Sequence, residues 1–347
     1  MVEGQENTEV AVVPRIDDLR PAAAMPGGIV ELTGAGLGPE SDGPPKIFVD
    51  GLAADVLMSR EGRLVCKTPD TASTGLVAVH GAGGESNAVP LRVAHQLADE
   101  LHPVTNPAVS STGTIYATIS GQRGKQTPTS IVRIRPGEPS TPFVSGILNA
   151  TGLAFSPDDE LYATSRADGT VYRIGEDGSH SAYVEGMGVA TGAVFDAEGN
   201  LFVGDRSGTI FKINTQKQIF VHATLEASPA AYHLAVNGAG TLFVSAPMQS
   251  SNETIWAVEP NGDVRVWYRG LGRPQGLALA QDGSVYVAAC LHGQRGLVRV
   301  SPRSEAELVL AGASLVGVAF SPMGATILTT QDAVYEVDLG VEGLHLF

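Results

Sequence analysis

Arginine side chains recur in this sequence at positions that could bring them to one binding site. The string Gly-Gln-Arg-Gly occurs twice, at 121–124 and 293–296, and two further arginines, Arg166 and Arg206, lie between the copies. A guanidinium group presents a planar fork of donors that matches a carboxylate or a phosphate. If the fold gathers these arginines, they predict a pocket for a small anionic or polyhydroxylated molecule. The alternative is that they pair with nearby carboxylates such as Asp168 and Asp205.

Two histidines accompany the arginines, and His233 is the candidate for chemistry. A histidine titrates near neutral pH, so it can act as a general base, and Arg166 or Arg206 would then stabilise a developing oxyanion. The competing interpretation is a structural histidine that hydrogen-bonds to a neighbouring element. The sequence has no Gly-x-Ser-x-Gly elbow, no phosphate-binding loop and no His/Cys spacing for zinc.

The elements that position these side chains must be formed by a sequence motif that recurs every 40 to 46 residues. Its clearest copy runs from Thr151 to Ile174, TGLAFSPDDELYATSRADGTVYRI. A fixed period of this size indicates a repeat architecture. The residues that open the six copies, which we call the opening column, are Thr105, Thr151, Thr191, Tyr232, Gln275 and Val316.

Each copy predicts four short strands. A buried apolar run such as 152–155 is followed by a turn, a second strand, a loop and a third strand such as 171–174, and a weaker fourth strand closes the unit. Four strands per repeat predict a six-bladed β-propeller over 102–347, with a solenoid as the alternative. The register predicts blades built each from its own four strands, the last ending on an outer strand at 344–347. The ring would then close by side-chain packing.

Propeller geometry selects the candidate site residues. The opening column and the loops after the second strands share one mouth of the central channel, and long loops on a rigid scaffold tend to carry binding residues. The loops that hold the two Gly-Gln-Arg-Gly strings are predicted to be long. The candidate catalytic residue is His233. The candidate ligand-binding residues are Asn106, Arg123, Thr151, Arg166, Thr191, Asp205, Arg206, Tyr232, Gln275, His292 and Arg295.

The segment before the repeats has a different character. Residues 10–94 read as short strands separated by glycine and proline, which predicts a small β-sandwich. Residues 1–9 are polar and predict a disordered tail. Residues 95–101 predict a linker with one helical turn. The fold class is therefore all-β, with a sandwich followed by a propeller.

Both parts resemble known families. The strings PRIDDLRPAAAMPGGIVELTGAGLG, IFVDGLAADVL, CKTPD and GLVAVHGAGGESNAVPLRV resemble the immunoglobulin-like IPT/TIG domain over nearly all of 10–94. The strings GLAFSPDDELYATS and GTVYRI resemble the six-bladed group of gluconolactonases, senescence marker protein and NHL-repeat proteins, and Val203-Gly204-Asp205-Arg206 resembles the NHL strand ending. The first resemblance implies a spacer or an interaction module.

The second resemblance implies a divalent metal such as Ca²⁺, held in the lactonases by Glu, Asn and Asp at the inner-strand openings. The opening column has no carboxylate, and only Asn106 and Asp205 offer nearby oxygen ligands. We therefore predict no metal-ligating residues and name no cofactor, while a divalent metal such as Ca²⁺ stays open as an alternative whose ligand set is not visible in the sequence. The NHL and lyase-like relatives need no metal, and some of them use a histidine near the mouth.

Composition limits the partners. A net charge of −15 argues against nucleic acid or an anionic membrane surface. The start of the sequence has no signal-peptide pattern, so we expect a cytoplasmic protein, and we expect a monomer. Cys66 and Cys290 fall in different predicted domains, so we predict that both are free thiols.

Three function classes remain open. We favour a binding propeller that recognises a small anionic molecule or a peptide. The second class is a hydrolase or lyase that acts on a lactone or cyclic ester, and the third is a protein-interaction scaffold.

Overall fold

The computed structural model of the chain describes residues 12–41, 43–121, 126–248 and 250–347. Every regular element in these ranges is a β-strand, and none of the described residues is helical. The chain divides into two compact units. One comprises the residues up to Ala94 together with Val309–Ala313, and the other comprises His95–Leu308 and Ser314–Phe347. No helix in the described ranges is long and apolar enough to cross a membrane.

The first unit is a set of short, mainly antiparallel strands around an apolar core. The strands are β1 (Arg15–Arg20), β2 (Ala23–Ala24), β3 (Ile29–Ala35), β4 (Lys46–Val49), β5 (Leu52–Arg60), β6 (Arg63–Lys67), β7 (Gly75–Gly81), β8 (Gly84–Glu85) and β9 (Val89–Val93). Eight of them form one hydrogen-bonded path in the order β1-β3-β6-β5-β4-β7-β9-β2, and β8 pairs with β7 beside it. Leu32, Leu64 and Leu91 are fully buried because the strands alternate inward apolar and outward polar residues. Cys66 is buried in this core as a free thiol.

The second unit is a β-propeller arrangement of four-stranded antiparallel sheets. Four of these blades run in chain order: β11 (Ala108–Val109), β12 (Ile115–Thr118), β13 (Ile131–Ile134) and β14 (Thr141–Val144); β15 (Ala150–Phe155), β16 (Leu161–Ser165), β17 (Val171–Ile174) and β18 (His180–Val184); β19 (Ala190–Phe195), β20 (Leu201–Asp205), β21 (Thr209–Ile213) and β22 (Ile219–Thr224); β23 (His233–Val236), β24 (Leu242–Ser245), β25 (Glu253–Val258) and β26 (Val264–Leu271). Four further strands follow the same order: β27 (Leu277–Leu279), β28 (Val285–Leu291), β29 (Gln294–Val300) and β30 (Ala306–Ala311).

The fifth separate blade differs from the prediction. It contains β31 (Leu315–Phe320), β32 (Thr326–Thr330) and β33 (Val334–Val337), and its outer strand is β10 (His95–Ala98). β10 pairs antiparallel with β33, with His95 opposite Glu336. The expected helical turn at 95–101 and the expected closure by side-chain packing alone are therefore wrong. The ring closes by strand exchange between the two ends of the repeat region.

Residues 344–347 are also placed differently, since they are not the predicted outer strand. Residues 342–347, which we call the strap, cross the face of the propeller opposite the inner-strand openings. The Leu344 amide donates to the Leu279 carbonyl at 2.8 Å, and the Gln281 amide donates to the Glu342 carbonyl at 2.9 Å. Leu344 and Leu346 pack against two different hydrophobic clusters of the propeller.

Successive repeats are joined at the opening column by hydrogen bonds. In chain order these are Thr105 Oγ1 to the Thr151 carbonyl (2.5 Å), Thr164 Oγ1 to the Thr191 carbonyl (2.5 Å), the Tyr232 amide to Thr191 Oγ1 (3.0 Å), Ser245 Oγ to the Gln275 carbonyl, Gln275 Nε2 to the Leu315 carbonyl (3.0 Å) and Thr329 Oγ1 to the Thr105 carbonyl (3.1 Å). The last bond returns to the first repeat, so this chain of contacts, the stitch ring, runs around the whole channel.

The glycine after most opening-column residues allows this close approach. A Cβ on Gly152 would lie 2.2 Å from the Thr191 carbonyl oxygen, and one on Gly192 would lie 2.3 Å from that of Tyr232. The corresponding distance at Gly317 is 2.5 Å, to the Thr105 carbonyl oxygen. Any side chain at these positions would push neighbouring inner strands apart.

Candidate functional site

A cavity of about 270 Å³ lies where the inner strands of the propeller begin. We call it the mouth cavity. The predicted site residues that line it are Thr151, Arg166, Thr191, Arg206, His233 and Gln275. Val316 of the opening column lines it as well. No aspartate or glutamate of the described residues is in its lining, so within that part of the chain its charged groups are cationic.

Arg166 and Arg206 hold equivalent places in two neighbouring blades. Each is the residue directly after a second strand, β16 or β20, and each donates its backbone amide at 3.3 Å to the residue before its own inner strand, Asn149 or Val189. This repeated turn points both side chains to the same mouth. The Arg206 guanidinium donates to the carbonyls of Ser228, at 3.4 Å, and Pro229. The Arg166 guanidinium donates to the Gly121 carbonyl at 3.4 Å.

His233 forms the floor of the mouth cavity. It is the first residue of β23, opposite Ser245 in the register, and only 2% of its surface is exposed. Among the described residues its ring has no hydrogen-bond partner, although it lines both the mouth cavity and a small void of about 20 Å³ deeper in the channel. Burial lowers the pKa of His233 to about 3, because removal of the ring from water disfavours the imidazolium. The ring is therefore neutral at physiological pH, with one nitrogen donating and the other accepting.

Other predicted site residues lie away from the mouth cavity. The Tyr232 side chain is 1% exposed, packs in a hydrophobic cluster with Phe202 and donates its hydroxyl to the Glu226 carbonyl. Burial raises the pKa of Tyr232 to about 12. Tyr232 directly precedes β23, and side chains of neighbouring residues in extended backbone point to opposite sides, so of these two residues only His233 faces the channel.

Asn106 and Asp205 also serve the scaffold. The Asn106 amide nitrogen donates to the Leu277 carbonyl at 2.8 Å, and its oxygen accepts from the Val318 amide at 3.1 Å. The Asp205 carboxylate accepts from the Val189 amide at 2.7 Å and from the Ser207 hydroxyl. The side-chain oxygens of both residues thus accept hydrogen bonds within the scaffold, and the described residues contain no group of three or more His, Cys, Asp or Glu that could hold a metal. The donors present do not fit the metal cage that the resemblance implies.

The last candidates lie on a hairpin, not on a long loop. β28 and β29 pair up to Leu291 and Gln294, so the turn is only His292-Gly293, and both of these residues have positive φ. His292 and Arg295 are exposed near this tip and do not line the mouth cavity. A two-residue turn of this kind matches the twist of the strands on either side, so β28 and β29 stay paired up to the turn. Arg123, in the other Gly-Gln-Arg-Gly string, lies outside the described residues.

The mouth cavity also contains residues that the sequence did not suggest. His102, Gln331 and three prolines, Pro103, Pro229 and Pro247, contribute to its wall. Gln331 follows β32 as Arg166 follows β16, so the repeat alignment contained the signal for it. The prolines precede or follow strands and carry no repeat signal.

Comparison with known proteins gives a fold and no family. No protein-family model matches the chain, and no curated protein matches it in sequence. Solved structures do match. An auxiliary nutrient binding protein from Bacteroides thetaiotaomicron has a TM-score of 0.55 at 10% identity, covering 95% of this chain and 99% of that one.

Two enzymes are also similar in structure. A gluconolactonase from Xanthomonas campestris has a TM-score of 0.57 at 13% identity and covers 70% of this chain and 88% of its own. A catalytically inactive virginiamycin B lyase from Staphylococcus aureus, solved with quinupristin, has a TM-score of 0.52 at 11% identity and covers 95% and 96%. At these identities the likeness establishes the β-propeller fold alone.

Proposed function

We propose that the chain is a ligand-binding protein with six blades and an immunoglobulin-like module. Strands β27–β30 follow β26 and precede β31 in the sequence, which is the place where a further blade would complete a set of six. The stitch ring passes through their repeat at Gln275. The strand pattern of the first unit supports the module, since its short antiparallel strands enclose one apolar core. The resemblance to NHL-repeat and gluconolactonase propellers supports the six-blade count.

The proposed ligand is a small anionic, polyhydroxylated molecule, such as a sugar acid, that binds in the mouth cavity. The observation that carries this proposal is a cavity lined by Arg166, Arg206 and an unpartnered, 98%-buried His233, without a carboxylate of the described residues. The arginines would hold the anion. Thr151, Gln275 and the neutral ring of His233 offer polar atoms to hydroxyl groups. The volume of about 270 Å³ suits a molecule of the size of a single sugar ring.

The competing explanation, that the arginines pair with loop carboxylates, has no support at Arg206. Its guanidinium bonds to two carbonyls, and no ion pair to Asp205 or another described carboxylate is formed. Asp168 likewise accepts from the Thr170 amide and the Tyr172 hydroxyl. A guanidinium held by carbonyls keeps its full charge and remains available to an anion.

We expect the double variant Arg166→Ala/Arg206→Ala to lose thermal stabilisation by a library of sugar acids. Loss of two charge-assisted contacts costs about 3 kcal/mol or more, which reduces affinity at least a hundredfold. The measurement is the shift of melting temperature with each acid. Arg303→Ala, at an exposed turn, is the matched control and should retain the wild-type shift. Equal shifts for the double variant and the wild type would reject the mouth cavity as the anion site.

A hydrolase or lyase that acts on a lactone or cyclic ester is the second candidate. It is favoured by the convergence of His233 with Arg166 and Arg206 on one cavity. A pKa of about 3 makes the imidazole a weak base in the free protein, so catalysis would require a bound anion to raise it. A lactone-hydrolysis screen with and without Ca²⁺ or Zn²⁺ tests this candidate. Turnover that His233→Gln abolishes would establish it, and no turnover under either condition would leave the binding function.

A further inference from the structure

A second cavity lies at the other end of the propeller channel. Its volume is about 300 Å³, and it is lined by the later halves of the inner strands and by the strap. Leu344, Leu346 and Phe347 of the strap are part of its wall. We call it the axial cavity. Only Asp159 and His345 bring ionisable side chains to it among the described residues, in contrast to the arginines of the mouth cavity.

One column of the repeat contributes small side chains to the wall of this cavity. Three residues after each member of the opening column stand Ala108, Ala154, Val194, Ala235, Ala278 and Ala319, and all six line the axial cavity. We call them the alanine column. Alanine is depleted in β-strands, where β-branched and aromatic residues pack better. Five alanines at one structural position therefore run against local preference.

Crowding at the channel axis does not account for the alanine column. The crowded position is two residues earlier, where a Cβ on Gly152 or Gly192 would lie within 2.3 Å of a neighbouring carbonyl oxygen. The alanine column lies opposite large residues of the second strands, as Ala154 does Tyr162 and Ala235 does Phe243, and it also lines the cavity of about 300 Å³, where a larger side chain would reduce the free volume. The fold tolerates one, since Val194 occupies the same position in β19.

We propose that the axial cavity is a second binding site, for a small apolar molecule such as a two-ring aromatic compound. An apolar cavity of about 150 Å³ accepts benzene, so twice that volume suits a bicyclic ligand. The occupant is a small molecule and not a protein segment, because the strap already covers the face of the channel and forms one wall. The ligand would displace poorly bonded water from apolar surface, which is favourable.

The test is titration of the protein with 1-aminonaphthalene, whose emission brightens in apolar surroundings. We expect saturable binding to the wild type. Ala235→Leu and Ala278→Leu each fill part of the axial cavity and should weaken binding at least tenfold. Ala182→Leu, at an exposed position of the outer strand β18, is the matched control and should bind as the wild type does.

Melting curves of each variant establish that it is folded, and Ala235→Val replaces Ala235→Leu if the leucine prevents folding. The Arg166→Ala/Arg206→Ala variant should bind the probe as tightly as the wild type, so failure of the proposed anion site and failure of the axial site are distinguishable. The proposal would be overturned if the wild type showed no saturable binding, or if both folded leucine variants bound the probe as tightly as the wild type does.

Discussion

Gly192→Ala should lower the free energy of unfolding of the propeller by about 3 kcal/mol, the range reached when a well-packed core is overfilled. The added Cβ would lie 2.3 Å from the Tyr232 carbonyl oxygen and 3.1 Å from the His233 Cα, both of them backbone atoms that cannot rotate away. Relief requires β19 and β23 to separate. That separation stretches two hydrogen bonds, from the Gly192 amide to the Tyr232 carbonyl and from the Tyr232 amide to Thr191 Oγ1.

Urea unfolding followed by tryptophan fluorescence measures this effect in the correct unit. The only two tryptophans of the chain, Trp256 and Trp267, lie in β25 and β26 of the propeller. Gly238→Ala is the matched control, because a Cβ there meets only the Leu346 side chain, at 3.9 Å. Its effect should stay within about 0.5 kcal/mol of wild type. Similar losses for the two variants would show that close approach of β19 and β23 is not what Gly192 provides.

The second large effect concerns acid. His233 has a pKa of about 3 in the folded protein and an ordinary pKa near 6.5 when unfolded. Above pH 6.5 the ring is neutral in both the folded and the unfolded state, so it does not make the free energy of unfolding depend on pH. Below it the unfolded chain takes up a proton that the folded protein does not, so stability falls as pH falls from about 6.5 to about 3. The slope is about 1.4 kcal/mol per pH unit, which amounts to about 3 kcal/mol at pH 4.

Removal of this proton uptake should flatten the acid limb of the stability curve. We expect His233→Gln to lose about 3 kcal/mol less than wild type between pH 7 and pH 4, measured by urea unfolding at each pH. Burial also lowers the pKa of His222 and of His345, so some acid sensitivity remains in the variant. His180→Gln, at an exposed position in β18, is the control and should keep the wild-type slope. A His233→Gln curve parallel to wild type would contradict the burial of a neutral imidazole.

The repeat period was sufficient to predict most of the fold, because the strands of a blade follow one another in the sequence and pair with their sequence neighbours. The run 152–155 was predicted as an inner strand and lies within β15, and 171–174 matches β17. The closing strand could not be found in this way. Residues 95–98 lack the repeat phrase, and their strand geometry comes only from the exposed edge of β33, which is remote in sequence. A pairing partner more than 200 residues away leaves no local signal.

The residues that line the site were harder to predict than the fold, because the direction of side chains alternates from one residue to the next along a strand. Alignment placed Tyr232 in the opening column beside Thr151 and Thr191, but β23 begins one residue after Tyr232, whereas β15 and β19 each begin one residue before their column member. His233 then faces the channel, and Tyr232 faces the core. Side chains of neighbouring residues in extended backbone point to opposite sides, and composition does not report which of two neighbours faces the channel.

The pairing of β10 with β33 has a consequence for how the protein is made. Gln96 and Tyr335, whose side chains meet across this pair, are 239 residues apart. At about 5–20 residues per second, the ribosome needs roughly 12–48 s to synthesise the chain between them. During that time β10 has no partner, and the inner repeats can form blades while the ring stays open. Closure of the ring is therefore a late event, and an unpaired β10 is a segment through which one nascent chain could join the open ring of another.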